Sequence, residues 1–327
     1  MSTPEVSAAT GLQALFLPVP HGGPEPAVDD VRPRSLFAVL HEPPLAAVRR
    51  GAVLHFPAFA EEANKSRHMV AMTARALAGD GWTVLLPDWS GTGDSSGEFE
   101  HASWVRWRRD AAACLAWLRA RVPAGPVLLW AHRAGCLLAA ETRALEPLAA
   151  RASLLFWQPV VQGRQHLQQL LRLKLAAGLA RGDTTLAKDQ GEALRRALAA
   201  GEVVEIGGYG LQRGIADGLE GAALTPQTSG PPGRLHWIEI ASRSPAALLP
   251  ASEKALQAHR DAGWHASAEA LCGPAFWQTV EIESAPALVG ATVAAAGRVS
   301  DTWGDDGSAA AQGTGREPST SHAGLSA

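Results

Sequence analysis

Short apolar runs alternate with segments of helical periodicity along most of the chain. In the helical segments, apolar positions recur every third or fourth residue, which is typical of helices that bury one face. Strands that alternate with helices predict a mostly parallel sheet with helices on both of its faces, and therefore an α/β fold. The predicted strands are residues 35–40, 52–56, 83–86, 127–130, 153–157, 235–240 and 265–271. The predicted helices between them are residues 62–77, 103–121 and 134–145.

The alternation breaks between residues 162 and about 223, where a helical insertion is predicted. Leucines there form an apolar stripe at helical spacing, and basic residues form the opposite face. The insertion is therefore either a helix packed on the rim of the fold with a solvated basic face, or a cap that covers a pocket. The leucines are Leu167, Leu170, Leu171, Leu175 and Leu179, and the basic residues are Arg164, Arg172, Lys174 and Arg181.

The two ends of the chain carry little that a core could bury. Residues 1–17 lack the basic start and the long apolar run of a signal peptide or membrane anchor. Residues 297–327 are rich in Gly, Ser, Ala, Thr and Asp, which predicts a disordered tail. We therefore expect one α/β domain over residues 1–296, with a cap insertion at about 162–223 and a disordered tail over residues 297–327.

The overall composition gives no sign of a polyanionic partner. The 29 Lys and Arg residues against 32 Asp and Glu residues leave a net charge of −3, so we expect no nucleic acid as a partner. No stretch approaches the roughly 18 apolar residues of a membrane-spanning helix. The 3 cysteines are widely spaced and form no C-x-x-C pair, which predicts neither disulfides nor a zinc site. We expect a cytoplasmic protein without a metal or cofactor.

A dense charged block follows the second predicted strand. Residues 61–67 read Glu-Glu-Ala-Asn-Lys-Ser-Arg. Because ligands of doubly wound sheets bind beyond the carboxyl ends of the strands, this block belongs at the edge of a site. Acids in a first helical turn also serve as dipole and capping partners, and that ordinary role accounts for Glu61 and Glu62 equally well. The density of polar groups favours a functional interpretation of the block as a whole.

A glycine-rich turn follows the next strand, where residues 88–95 read Asp-Trp-Ser-Gly-Thr-Gly-Asp-Ser. It resembles the D-x-x-G-x-G-x-S turn of α/β-hydrolases, and its glycines permit positive φ angles. We expect a mainly architectural role, with Asp88 accepting hydrogen bonds from loop amides. The turn lacks the G-x-G-x-x-G pattern and the lysine of phosphate-binding loops.

The most informative motif is residues 130–135, which join a predicted strand to a predicted helix. This is the place of the G-x-S-x-G nucleophile elbow of α/β-hydrolases, whose serine stands above the sheet beside N–H groups that bind an oxyanion. Arg133 occupies the serine position here, and Ala131 occupies the position of the first glycine. A guanidinium stays protonated and has only donors, so it cannot attack a carbonyl carbon.

Two interpretations of Arg133 stand side by side. An acid such as Glu61, Glu62 or Asp88 neutralises it, because a buried lone cation is too costly to persist. Alternatively, it binds a carboxylate or phosphate of a ligand in a bidentate manner. Cys136, in the first turn of the following helix, is a candidate substitute nucleophile or an ordinary small buried residue.

The acid and the histidine of a Ser-His-acid triad are also missing from their expected places. Gln158 follows the strand at residues 153–157, and no carboxylate follows residues 235–240 before Glu253. The loop after the last strand holds no histidine. His265 begins that strand, about 20 Å away at roughly 3.3 Å per residue. We therefore expect that this chain does not use Ser-His-Asp chemistry.

Residues 56–67, 88–95, 129–135 and 273–283 together resemble the exosortase A system-associated hydrolases. The resemblance is best to their second type, which carries arginine in the elbow where the first type keeps serine. It covers roughly residues 10–295, and the E-E-x-N-K-S-R block is its specific part. It implies an α/β-hydrolase fold and a setting of exopolysaccharide production and exosortase-dependent sorting in Gram-negative bacteria, without a defined substrate.

These observations lead to two hypotheses. The first is a hydrolase of an ester, thioester or acyl-sugar linkage, in which arginines hold an anionic group and one glutamate serves as base to a water molecule. The second is a pseudoenzyme that binds an acyl or glycolipid ligand, or an exopolysaccharide biosynthesis protein. The expected catalytic residues are Glu61, Glu62, Arg67 and Arg133, and the expected substrate-binding residues are Asn64, Lys65, Ser66, Asp88 and Trp130.

Overall fold

The computed structural model describes residues 11–19, 34–180, 190–227 and 230–311. The strands are β1 Gly11–Pro18, β2 Ser35–Glu42, β3 Gly51–Phe56, β4 Trp82–Pro87, β5 Val127–His132, β6 Ser153–Trp157, β7 Val204–Ile206, β8 Tyr209–Leu211, β9 Arg234–Ala241 and β10 His265–Cys272. The α-helices are α1 Glu61–Gly79, α2 Trp104–Arg121, α3 Gly135–Leu145, α4 Gly163–Ala180, α5 Gln190–Ala199, α6 Arg213–Gly221, α7 Pro250–Asp261 and α8 Pro286–Ala311.

Eight strands form one sheet in the order β1-β2-β4-β3-β5-β6-β9-β10. The pairs β1–β2 and β2–β4 are antiparallel, and the other five pairs are parallel. All seven predicted strands are present. β1 is an additional edge strand that the sequence did not predict, and most of its residues are exposed. The carboxyl ends of β3, β4, β5 and β6 therefore meet at one edge of the sheet.

Helices cover both faces of the sheet, which explains why β3, β5 and β6 are buried along their whole length. On one face, Leu54 and Leu129 pack in a core that includes residues of α2 and α3. On the other face, Val53 and Leu128 pack in a second core that includes residues of α1 and α8. Successive strand residues alternate between the two cores, as the pleat requires.

Helix α8 corrects the prediction at the C-terminal end. The expectation of a disordered tail is wrong for residues 297–311, because α8 runs from Pro286 to Ala311. Ala295, Ala296 and Val299 are buried in the core shared with α1. A segment rich in alanine and glycine has few large apolar residues, yet alanine is the best helix former and its small side chain packs closely on a sheet. Residues 312–327 lie outside the described residues.

The insertion between β6 and β9 folds as α4, α5, the β7–β8 hairpin and α6. A single antiparallel bridge between Gln162 and Ala223 closes its base. Leu167 and Leu171 of the apolar stripe are buried in the first core. The β7–β8 hairpin turns at Gly207 and Gly208, both of which have positive φ. Arg181 lies outside the described residues.

Two histidines are buried in an aromatic cluster beneath the elbow. The ring centroid of His55 lies 4.3 Å from that of Trp130, and His132 stacks on Phe276 at 5.5 Å. Burial lowers the pKa of His55 to about 3, against a small opposing effect of a backbone hydrogen bond. Burial also lowers the pKa of His132, helped by the positive charge of Arg133. Both imidazoles are therefore neutral at pH 7.

None of the described helices is long and apolar enough to cross a membrane.

We predict that Gly135→Ala destabilises the protein by about 1–3 kcal/mol, the usual cost of overpacking. Gly135 begins α3, and a Cβ there would overlap the carbonyl oxygens of Pro57 and Phe56. Gly290→Ala is the matched control, because a Cβ on this helical glycine meets open space. It should stabilise the protein by about 0.5–1 kcal/mol. Urea denaturation measures both changes, and equal effects of the two substitutions would contradict the close approach at Gly135.

We also predict that the free energy of unfolding falls as pH decreases from about 6.5, the pKa of unfolded histidine. The folded protein keeps its buried imidazoles neutral, whereas the unfolded chain binds protons below that pH. Each such histidine contributes up to about 1.4 kcal/mol per pH unit to the slope. His55→Gln should reduce the slope, because the substitution removes one buried imidazole. Urea titrations at several pH values between 7 and 4 report the slopes.

Candidate functional site

The backbone at residues 132–135 has the geometry of a nucleophile elbow. β5 ends at His132 and α3 begins at Gly135. Between them, Arg133 has a φ of 54°, in the left-handed region that non-glycine residues rarely adopt. Its N–H donates to the carbonyl oxygen of Trp157 at 3.0 Å. A strained turn between strand and helix is the feature that presents the nucleophile in serine hydrolases. The backbone turn of a nucleophile elbow is therefore formed here, and Arg133 occupies the position of the nucleophile.

Glu62 neutralises Arg133. Both Nε and Nη2 of Arg133 lie 3.1 Å from Glu62 Oε1. Nη1 donates to the carbonyl oxygen of Gln158 at 3.3 Å, and the guanidinium lies 5.8 Å from the ring centroid of Trp277. The two side chains are only 15% and 16% exposed, so the pair is held largely out of water. Of the three acids expected to pair with Arg133, the structure selects Glu62.

The ion pair leaves Glu62 with one unused oxygen. Burial raises the pKa of the Glu62 carboxyl, while the charge and hydrogen bond of Arg133 and the charge of Lys65 oppose that rise. Glu62 Oε2 is buried and has no hydrogen-bond partner among the described residues. An ionised carboxylate oxygen without a donor is costly to bury. Glu62 Oε2 can therefore accept a hydrogen bond without breaking the ion pair.

The remaining residues of the charged block divide between two places. Glu61 and Lys65 form an ion pair at 3.1 Å, and Lys65 Nζ lies 3.4 Å from the carbonyl oxygen of Gln278. Arg67 instead pairs with Asp88 at 3.4 Å, and the Asn64 amide donates to the hydroxyl of Tyr209 at 2.6 Å. The residues of the charged block therefore lie on two sides of α1. Glu61, Glu62 and Lys65 lie on one side, and Asn64 and Arg67 lie on another.

A cavity of about 780 Å³ lies over the Arg133–Glu62 pair. This volume falls within the range of small-molecule sites. The loop after β3 and the start of α1 form one wall, and α4 and the β7–β8 hairpin form the other, so the insertion covers the cavity as a cap. The residues that α4 and the hairpin contribute are His166, Gln169, Leu170, Arg172, Leu173, Lys174, Ala176, Ile206, Gly207, Tyr209 and Leu211.

Two of the expected substrate-binding residues are buried away from this cavity. Ser66 is 1% exposed, and its hydroxyl donates to the carbonyl oxygen of Glu62 within α1. Trp130 is fully buried, with its ring 4.7 Å from that of Trp157. The expectation that Ser66 and Trp130 bind substrate is wrong, because α1 and β5 turn both side chains towards the core. Cys136 is also fully buried and does not line the cavity, and burial raises the pKa of its thiol well above the ordinary value.

Arg67, Asp88 and Asn64 do not line the cavity. The Asp88 carboxylate accepts a hydrogen bond from the N–H of Asp94 at 3.3 Å, in line with the architectural role expected for this turn. Burial raises the pKa of Asp88, and the charge of Arg67 opposes the rise. Among these residues only Asn64 connects to the cap, through Tyr209. The structure therefore places Arg67 in an ion pair with Asp88 outside the cavity, and the catalytic role predicted for Arg67 stays a prediction.

Sequence reasoning missed His166 and Trp277. His166 lies on α4, is 3% exposed and lines the cavity. Burial lowers its pKa to about 3, and the charge of Arg133 contributes. Gln169 lies nearby, but neither ring nitrogen makes a hydrogen bond of good geometry with a described residue. The spacing of residues 166, 169, 170 and 173 indicates one helical face that overlaps the leucine stripe at Leu170, but it does not indicate that this face covers a cavity.

Comparisons with known proteins support the fold. Residues 47–190, less than half of the chain, match the family model described as serine aminopeptidase, S33. The esterase Est1E from Butyrivibrio proteoclasticus, solved with ferulic acid, is 14% identical, with a TM-score of 0.58 over 81% of this chain and 96% of its own. A thermostable carboxyl esterase from Bacillus coagulans is 12% identical, with a TM-score of 0.55 over 89% of this chain and 100% of its own.

An α/β serine hydrolase without a lid, from Xanthomonas campestris, is 15% identical, with a TM-score of 0.51 over 89% of this chain and 95% of its own. No curated protein matches the sequence. At these identities the likeness concerns the fold alone. Together with the observed sheet, it confirms the predicted fold class: the chain has the α/β-hydrolase fold, with a mostly parallel sheet and helices on both faces.

We predict an energetic coupling of about 1–3 kcal/mol between Arg133 and Glu62, the range of residues in direct contact. Glu62→Gln leaves the guanidinium without its counter-charge, and Arg133→Gln leaves a buried carboxylate alone, whereas the double variant removes both charges. A double-mutant cycle of unfolding free energies gives the coupling. The exposed pair Arg213–Asp217 is the control and should couple by about 0.5 kcal/mol or less. Strictly additive effects at Arg133 and Glu62 would contradict the buried ion pair.

Proposed function

We propose that this protein is a hydrolase that cleaves an ester, thioester or acyl-sugar linkage without a serine at the elbow. The observation that carries the proposal is the cap-covered cavity lined by Arg133 and Glu62, where one buried carboxylate oxygen of Glu62 has no hydrogen-bond partner among the described residues and lies beside a fixed positive charge. A base and an oxyanion-stabilising cation in one water-poor pocket are the two groups that water-based acyl hydrolysis needs.

The cavity favours an acyl substrate with a polar or anionic head. Phe59, Leu170, Leu173 and Ile206 provide apolar wall, which suits a hydrocarbon chain. Leu173 is 62% exposed despite its size, and an acyl chain along α4 would cover it. Basic side chains stand around this apolar surface, and those lining the cavity are Lys65, Arg133, Arg172 and Lys174.

In the proposed step, Glu62 takes a proton from a water molecule while the water oxygen bonds to the acyl carbonyl carbon. Arg133 stabilises the oxyanion that forms on the carbonyl oxygen. The tetrahedral intermediate then breaks its bond to the alcohol or thiol, and the leaving group receives the proton from the Glu62 carboxyl. Neutral His166 accepts a hydrogen bond from the water or substrate, because its lowered pKa keeps a ring nitrogen lone pair available.

The resemblance to exosortase A system-associated hydrolases supports the biological part of the proposal. On that basis we propose that the reaction belongs to exopolysaccharide or exosortase-associated metabolism, with a glycolipid or another acylated small molecule as substrate. A cytoplasmic location and contact with exopolysaccharide biosynthesis proteins belong to the same proposal.

Glu61 and Lys65 line the cavity. In the proposed complex they bind the polar group of the substrate.

A second function has one observation in its favour. Three of the donor groups of Arg133 already bind Glu62 and Gln158, so the ion pair is satisfied in part without a ligand. This is the arrangement expected of a pseudoenzyme that retains the pocket to bind an acyl or glycolipid ligand. The two functions share the cavity and differ in whether Glu62 transfers a proton.

The test is turnover of p-nitrophenyl esters and acyl thioesters of several chain lengths. Glu62→Gln should lower kcat by about 100-fold or more, the usual contribution of a general base. Activity of the wild type should fall as pH decreases through the raised pKa of Glu62, because the base must be ionised. Glu253→Gln is the control, since Glu253 is also a first-turn acid but lies on α7, away from the cavity.

Unchanged kcat in Glu62→Gln would contradict the proposed base. No turnover by the wild type with any substrate, together with a rise in Tm on adding octanoate, would favour the binding function. In that case the rise in Tm should disappear in Arg133→Gln.

A further inference from the structure

A chain of three hydrogen-bonded side chains lies on the other half of the sheet. The Ser267 hydroxyl is 2.8 Å from Nδ1 of His236, and His236 Nε2 is 2.9 Å from Oε1 of Glu269. β9 and β10 are parallel, and their register sets Ser267 directly beside His236. Glu269 follows two residues later on the same face of the sheet. Two neighbouring strands therefore fix a serine, an imidazole and a carboxylate in line.

Two groups face His236 Nε2, and the shorter contact assigns its proton. Glu269 Oε1 lies 2.9 Å away and can only accept, whereas Nη2 of Arg298, which can only donate, lies 3.5 Å away. The proton of the neutral ring is therefore assigned to Nε2, where Glu269 accepts it. A neutral imidazole then has its lone pair on Nδ1, where it accepts the proton of the Ser267 hydroxyl. Burial lowers the pKa of His236, with the charge of Arg298 adding to the effect and Glu269 opposing it, which keeps the ring neutral. This is the relationship of nucleophile, base and positioning acid in serine hydrolases.

A separate cavity of about 540 Å³ adjoins this chain. Ser267 and His236 line it, together with Arg260, Arg298 and apolar residues of β6 and α8. It has no lining residue in common with the cavity over Arg133. Ser267 is exposed, whereas His236 is only 12% exposed. A reagent in the cavity would therefore reach the hydroxyl while the base stays shielded.

We propose that Ser267 is a nucleophile with His236 as its general base and Glu269 as the residue that positions the imidazole, and that this second site reacts with small carboxylic esters. Ser267 Oγ bonds to the ester carbonyl carbon as its proton passes to His236 Nδ1. The bond to the alcohol then breaks, and the alcohol leaves with the proton from the imidazolium. Water repeats the two transfers on the acyl-serine, which releases the carboxylic acid and restores the serine.

The experiment uses the full-length protein and a fluorophosphonate, which phosphonylates activated serines with loss of fluoride. Intact mass gives the rate of labelling, and peptide mapping gives the position. The label should lie on Ser267 and disappear in Ser267→Ala. His236→Gln should slow labelling by about 100-fold or more, the contribution of a general base. Ser242→Ala, at another exposed serine, should label as the wild type does.

Glu269 is tested through its conservative variant. Glu269→Gln should slow labelling by about 10-fold or more, since an uncharged amide no longer favours the imidazolium, and Glu269→Asp should restore part of the rate. A p-nitrophenyl acetate burst equal to the protein concentration that disappears in Ser267→Ala would show the acyl-serine directly. The ester assays of Glu62→Gln are carried out in the Ser267→Ala background, so that the two sites are measured separately. The proposal is overturned if the protein takes no label, if the label lies on another serine, or if His236→Gln labels at the wild-type rate. Circular dichroism of each variant separates lost reactivity from lost folding.

Discussion

The Arg133–Glu62 ion pair is the interaction on which the elbow region depends. A guanidinium on a tight strand-to-helix turn cannot remain buried without a counter-charge. Contacts with neutral neighbours do not compensate for the hydration free energy that the cation loses on burial. Glu62 stands at the start of α1, so the pair joins the carboxyl end of β5 to the loop after β3. Trp277, from the segment after β10, lies against the guanidinium. Three segments distant in sequence thus meet around one charge, and the cavity takes its shape from them.

The cap completes the site from the opposite side. α4 presents His166 and a strip of apolar and basic side chains over the ion pair, and the Tyr209 hydroxyl accepts a hydrogen bond from Asn64 of α1. The cavity is therefore built from the edge of the sheet and the insertion together. The proposal of an acyl substrate with a polar head rests on the apolar surface and the cations together. Either feature alone fits a simple lipid or a simple anion equally well.

Most strands and helices of the fold could be predicted from the sequence. The elements that were missed have identifiable physical reasons. The strands at β3, β5 and β6 are buried on both faces, so their apolar runs were unambiguous. β1 was missed because it is an exposed edge strand without a clear apolar pattern. Residues 11–18 form a strand because they pair with β2. α8 was missed because composition alone does not distinguish a packed alanine-rich helix from a tail. The β7–β8 hairpin carried a Gly-Gly turn signal that was available in the sequence.

Only some of the residues predicted for the site lie together in the structure. Arg133, Glu61, Glu62 and Lys65 do meet at the carboxyl ends of the strands, as strand order requires. Ser66 belongs to the buried face of α1 with Met69, Val70 and Thr73, a spacing that could have excluded it. His166 could not be assigned to the pocket from sequence, because that depends on how the insertion folds back over the sheet. The His236–Ser267 pair depends likewise on strand register.

The most direct measurement of the central claim is a crystal structure of the protein soaked with octanoate, the carboxylate product of an acyl substrate. We expect a carboxylate within hydrogen-bond distance of the Arg133 guanidinium, with Glu62 displaced or sharing the cation, and a hydrocarbon chain along the α4 face that holds Leu170 and Leu173. An unoccupied cavity at saturating octanoate, or octanoate bound with its carboxylate away from Arg133, would contradict it.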